Sequence, residues 1–168
     1  MIHPDTFRFL WEYMVHADQQ IAAAAMTVPA ENFAQEQNIS MGSLPKLLNH
    51  ARIAQKVWLR RLNGEDFMYA DEPIPAREQF AEIWSPVHQE LLAFADAQTP
   101  ESLQKMVRSR NRAGKRFEVP AYAVMFHVAD HATYHRGQLN SMIKRAGGTP
   151  SPVMVYTYAI SQGLGREL

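Results

Sequence analysis

The chain has 168 residues and a mass of 19.1 kDa, a size that supports one hydrophobic core, so a single domain over residues 1–168 is expected. The absence of cysteine excludes disulfides and thiolate metal sites, 46% apolar and 10% aromatic residues exclude a disordered chain, and 17 Lys+Arg balanced by 17 Asp+Glu argue against a nucleic-acid partner. The start Met-Ile-His-Pro-Asp has no basic-then-apolar leader pattern and no apolar run approaches roughly 18 residues, so the expectation is a cytoplasmic protein with no membrane partner.

From Asp5 onward, Phe7, Leu10, Trp11, Met14, Ile21, Ala24, Ala25 and Val28 recur at the helical period, with Asp5 or Thr6 as cap and Pro29 as the stop. A second helix starts near Ser43, takes Pro45 in its first turn, and carries Leu47, Leu48, Ala51, Ala54, Trp58 and Leu62 up to Gly64. Beyond Pro73 and Pro75 a third stripe runs through Phe80, Ile83, Trp84, Val87, Leu91, Phe94 and Ala95, with a kink or restart expected at Pro86. Residues 105–108 and 116–119 flank a loop ending at Gly114 and read as a hairpin-like excursion. Pro120 opens a fourth long helix bearing Met125, Val128, Ala129, Ala132, Leu139, Met142 and Ile143, which Gly147 and Gly148 end, and a short packed tail follows Pro150 and Pro152. The pattern predicts an all-α four-helix bundle. The connection of about 20 residues between the third and fourth long helices is expected to break simple up-down order.

The concentrated chemistry lies in histidine. Seven His in this length give a His-x-x-x-His-x-x-x-His string in only ~0.01 of shuffled sequences, yet His127, His131 and His135 form one. Successive members are rotated by about 40° and rise by about 6 Å, so neighbours can share an ion, whereas the ends stand about 12 Å apart along the axis. That exceeds the reach of ligands held ~2.0–2.1 Å from one metal. His131 and His135 fall on the stripe of Val128, Ala132, Leu139 and Met142, which makes them the interior pair. Gln138 offers a polar group one turn beyond them, and His127 is left as a pocket or supporting residue. A bundle site needs a further ligand from a facing helix, and His50, between Leu47 and Ala54, is the best placed.

The remaining signals are weaker. His16 sits at the edge of the first stripe in a packing role, His88 is expected to face solvent, and His3 lies in an unstructured start. The basic run Arg108, Arg110, Arg112, Lys115 and Arg116 has the charge to meet phosphate or an anionic substrate, but a solvated hairpin explains it more simply because no aromatic ladder interleaves it. Phosphate-cradling Gly loops, His-Glu-x-x-His and nucleophile elbows are all missing from the sequence.

The string His131-Ala-Thr-Tyr-His135-Arg-Gly-Gln138, with Leu47-Leu-Asn-His50 and Trp58-Leu-Arg-Arg on the second helix, resembles the DinB/YfiT-like metalloenzyme superfamily (the DinB family). Tyr13-Met-Val-His16-Ala-Asp18, Gly114-Lys-Arg-Phe-Glu-Val-Pro120 and Arg145-Ala-Gly-Gly148 extend the similarity over nearly the whole chain. The resemblance implies an up-down-down-up bundle, often a homodimer, with a divalent metal held by His50, His131 and His135 in an open pocket. His16 stands where the family often has an aromatic residue, and Gln55 where an acidic one often follows the helix-two His, which bears on substrate preference. Members with known activity include thiol-dependent transferases and isomerases, so the implied function is a metal-dependent transferase or hydrolase acting on a small molecule, with a low-molecular-weight thiol as cosubstrate. Three neutral imidazoles leave a coordination position open for such chemistry. They suit Zn, Ni, Fe and Cu alike, with Zn, Ni or Fe the expected cofactor. His127, Gln138 and His16 are the expected pocket residues around the ligands, while Arg136 and Asp130 read as helix surface. The competing readings are a noncatalytic metal-binding or stress-response module and a plain helical interaction protein.

Overall fold

The computed structural model describes residues 2–110 and 113–166, so Arg112 of the basic run lies outside the described residues. In chain order the elements are α1 (Pro4–Ala25), a single turn α2 (Ala30–Phe33), α3 (Leu44–Leu62), α4 (Phe80–Asp96), a single turn α5 (Pro100–Leu103), β1 (Met106–Arg110), β2 (Arg116–Pro120), α6 (Ala121–Arg145) and α7 (Val155–Ser161). β1 and β2 form an antiparallel hairpin in which Val107 faces Val119 and Arg110 faces Arg116.

Helix directions follow from the side-chain contacts. Arg8 pairs with Asp96 at 2.7 Å, Trp11 stacks on Phe94, and Asp18 approaches His88, so α1 and α4 are antiparallel. Trp11 Nε1 donates to the Met125 carbonyl at 3.1 Å and Asp18 meets Arg136 farther along both helices, so α1 and α6 are parallel. His50 faces His135 while Trp58 faces His127, which makes α3 and α6 antiparallel. The order is therefore up-down-down-up. A parallel pair cannot be closed by a tight turn, so the overhand connection is residues 63–79 between α3 and α4. The sequence pattern had placed the break one connection later, but the hairpin between α4 and α6 joins antiparallel helices.

The core lies where the stripes meet, with Phe7, Trp11, Leu47, Leu48, Trp84 and Leu91 nearly or fully buried. Two local expectations need correction. His3, rather than Asp5 or Thr6, caps α1: its Nδ1 accepts from the Asp5 amide at 3.4 Å, with Pro4 in the first helical position, where the missing amide costs nothing. Of the kink or restart expected at Pro86, the restart does not occur, since α4 runs through it as one helix; both Pro86 and the residue whose carbonyl it leaves unpaired, Glu82, are exposed, so water can serve that carbonyl. Just past the end of α6, Gly147 adopts φ +85 and Gly148 passes so close to the segment that follows α1 that a Cβ would stand 2.6 Å from Val28 Cγ2. A larger residue at position 148 would push these two chain segments apart.

Candidate metal centre

α6 presents His131 and His135 one turn apart on the side facing α3, and α3 presents His50 toward them. One ligand atom from each of these residues lies within 4.8 Å of the others. Their rings are close: 4.3 Å between His131 and His135, 4.9 Å between His50 and His135, and 5.8 Å between His50 and His131. The structure thus contains a three-His cluster capable of coordinating a metal ion.

Neighbouring groups hold two of the rings. His135 Nδ1 lies 2.8 Å from Gln138 Oε1, which also accepts from Ser40 Oγ at 3.0 Å. An amide oxygen can only accept, so the His135 proton sits on Nδ1 and its lone pair on Nε2, directed at His131 Nε2 3.1 Å away. Ligand atoms ~2.0–2.1 Å from one ion stand about 3.3 Å apart in a tetrahedral site, so this pair is spaced as a metal needs it. His50 Nδ1 contacts the Tyr69 hydroxyl at 3.1 Å. Tyr69 belongs to the overhand connection, which Glu72 ties to α3: Lys56 reaches Glu72 Oε1 at 2.7 Å and Arg52 reaches Oε2 at 2.5 Å, while Asn49 donates to its carbonyl at 3.0 Å. The Lys56 hydrogen bond, seconded by Arg52, holds the Glu72 carboxyl below its usual range against a smaller desolvation effect.

The electrostatics favour the neutral, ligating form of imidazole. Burial, with His135, His127 and His50 nearby, lowers the His131 pKa to about 4. Burial also lowers His135, opposed by the Gln138 hydrogen bond. His127 is lowered by desolvation too, but its ring is exposed on one side, meets Trp58 edge-on at 4.8 Å, and stands 5.6 Å from His131, outside the group of three. His16 meets the ring of Tyr158 of α7 at 5.0 Å. A cavity of about 400 Å³ opens over His50 and His131, with Trp58, Tyr69, Phe117 and Met41 among its walls.

A second polar cluster escaped the sequence reading. His88, expected at the surface, is 4% exposed, stacks on Trp84, and places Nε2 3.7 Å from Asp18. Arg136, expected on the helix surface, is 7% exposed and binds Asp18 Oδ1 at 3.0 Å, while Gln55 donates to Asp18 Oδ2 at 2.5 Å and accepts from Trp84 Nε1 at 3.2 Å. The signal was present in the spacing: Asp18 sits four residues from Met14 and from Ala22, on the buried stripe, where a carboxylate requires partners. Because Arg136 directly follows His135, this cluster fixes α6 against α1 at the level of the site.

The family model for the DinB family matches residues 3–166. Protein DinB of Bacillus subtilis (strain 168) is 26% identical over 152 residues, covering 85% of this chain and 87% of that one. The fold is similar to a crystal structure of a DinB-like protein from Bacillus cereus ATCC 10987, with a TM-score of 0.69 and 21% identity over 89% of this chain and 97% of that one. A second DinB-like structure, from Bacillus subtilis, has a TM-score of 0.64 and 13% identity, covering 85% and 95% of the respective chains.

Proposed function

This chain belongs to the DinB family, and from that premise we propose that it is a metal-dependent enzyme whose divalent ion is held by His50, His131 and His135. The observation that carries the reading is the orientation of His135: with Nδ1 committed to Gln138, its Nε2 lone pair points into the same space as those of its neighbours. A structural pair on a helix surface has no need of such support, and a half-buried, neutral His131 without an ion leaves an imidazole nitrogen facing another.

In this reading the cofactor is Zn, Ni or Fe, and the reaction is transfer or hydrolysis on a small molecule, with a low-molecular-weight thiol as cosubstrate because the chain has no cysteine of its own. A divalent ion at the trio supplies Lewis acidity to an oxygen or sulfur group entering its open position. The protein's own contribution is to hold the imidazoles neutral, fix their faces through Gln138 and Tyr69, and provide the adjoining cavity. That cavity favours an enzyme over a metal-storage module, since a purely structural site is closed by its fourth protein ligand.

The reading also takes residues 1–168 as one domain of a cytoplasmic homodimer with no membrane partner. None of the described helices is long and apolar enough to cross a membrane. On the first and third long helices Phe7, Trp11, Phe80 and Trp84 are buried in the core. Exposed Phe126, Tyr134, Met154 and Tyr156 on α6 and around α7 are the better source of a dimer surface. Metal analysis of the purified protein, followed by a screen of thiols against electrophiles with the metal-loaded form, tests the function. Turnover abolished by His131→Ala supports it, and no turnover with any bound metal removes the enzymatic claim.

A further inference from the structure

The basic hairpin finds a place beside the trio. Arg110 of β1 and Phe117 of β2 line the cavity over His50 and His131, opposite Trp58 and Arg61 of α3. The lining includes two arginines and no acidic residue; Arg110 also borders the hollow on the other side of the hairpin, where Asp66 lies. Two larger hollows, of about 580 and 630 Å³, flank the hairpin, but neither is lined by a His.

Both guanidiniums have donors to spare. Arg61 uses Nε on the Phe67 carbonyl at 3.0 Å and Nη2 on the Arg110 carbonyl at 3.4 Å, and its plane lies 4.6 Å over the Trp58 ring. Among the described residues, its Nη1 has no hydrogen-bond partner. Arg110 Nε stands 3.2 Å from Asp66 Oδ1 without hydrogen-bond geometry, and its terminal nitrogens are likewise unclaimed. Arg61 is only 8% exposed, and its charge is depressed by desolvation more than Asp66 restores it, so a buried cation here is undercompensated.

The geometry points to a carboxylate-bearing small molecule with an apolar body as the substrate class: its anionic group engages Arg61 and Arg110 while its body packs between Trp58 and Phe117, facing the trio. The inference rests on the trio being the reaction centre. A guanidinium fork matches a carboxylate with two parallel hydrogen bonds, and one held over an indole ring loses little freedom in making them. The aromatic and aliphatic walls, Trp58, Phe117, Val57 and Met41, take an apolar body of about one ring's size in the 400 Å³ available. A cationic substrate meets two like charges and, in the loaded protein, the ion as well.

Two probes of equal shape test this, 3-phenylpropionate and its neutral amide. Dissociation constants are measured through the Trp58 indole NMR signal, on zinc-loaded and on chelator-stripped protein. The carboxylate is expected to bind about tenfold tighter than the amide in both forms, the scale of one charge-assisted hydrogen bond at a partly exposed site. Arg110→Gln, a change at a side chain 43% exposed, is expected to cut that preference severalfold, and Asp66→Asn, which frees Arg110, to raise it. Arg61→Gln should act like Arg110→Gln where circular dichroism shows it folded. Equal binding of the two probes by the parent, or a preference untouched by Arg110→Gln and Asp66→Asn, overturns the proposal. A preference present only with zinc and indifferent to the Arg and Asp variants assigns the anion to the ion and overturns it while sparing the metal site. An Arg110-dependent preference in a protein that takes up no zinc upholds it and defeats the metal reading.

Discussion

Asp18→Ala removes the central acceptor of the buried cluster. The carboxylate is 2% exposed and takes hydrogen bonds from Gln55 and Arg136, with His88 Nε2 3.7 Å away. Among the described residues, the variant leaves Arg136, 7% exposed, with the Thr133 hydroxyl at 2.7 Å and the face of Tyr13 as partners. Breaking a buried ion pair from one side costs about 3–5 kcal/mol, because the surviving charge keeps its desolvation cost without its counter-charge. For a chain of this length each kcal/mol moves Tm by about 2–4 °C, so a loss of roughly 10 °C is expected. Arg136→Met alone strands the carboxylate and should cost a similar amount, but Asp18→Ala/Arg136→Met, which removes both charges, should recover much of the loss. Urea unfolding of the parent, both single variants and the double variant gives the coupling energy directly. Additive losses, or an Asp18→Ala cost below about 1 kcal/mol, would refute the claim that this pair holds α6 against α1.

Two further outcomes follow from the trio. In metal-free protein, folded His131 protonates only near pH 4 whereas an unfolded imidazole does so near ~6.5, so the unfolded chain binds more protons between those values and stability rises with pH across that window. The contribution is at most about 3 kcal/mol, reduced by solvent screening of the half-buried ring, and denaturation of His131→Gln at a series of pH values should show a flatter profile. Gln138→Leu takes away the acceptor for His135 Nδ1 and should weaken metal binding by about 10–100-fold in a competition titration, with the fold intact; unchanged affinity would mean the ring needs no such support.

The elements were legible because each long helix carries a continuous apolar stripe ended by Pro or Gly, and the hairpin has alternating residues around Gly114. The trio was legible because helical rise alone separates His127 from His135, and His50 borders a core stripe. What stripes cannot show is which helices are neighbours. The overhand connection was therefore misplaced, since residues 63–79 and 97–120 both look long enough to cross the bundle. The Asp18–Arg136 pair was missed for the same reason: a charge on the buried side of α1 signals a partner without naming it, and Arg136 reads as surface until α1 is known to lie against it. His88 was misplaced although it lies four residues beyond Trp84 and three before Leu91, on the buried stripe, where it stacks on Trp84 and approaches Asp18 of α1. The role of Arg110 likewise depends on the hairpin folding back over α3.

The central claim is that His50, His131 and His135 bind one divalent ion. Zinc titration against a competing chelator, run in parallel on the parent, His50→Ala, His131→Ala, His135→Ala and His3→Ala, tests it most directly. His3 is the proper control because it is exposed, whereas His88 is buried beside Asp18. The account predicts one ion per chain, affinity unchanged in His3→Ala and lower by orders of magnitude in each of the other three, and weaker binding as pH falls toward about 4, where protons compete for the His131 nitrogen. Equal affinity in all five proteins would contradict it.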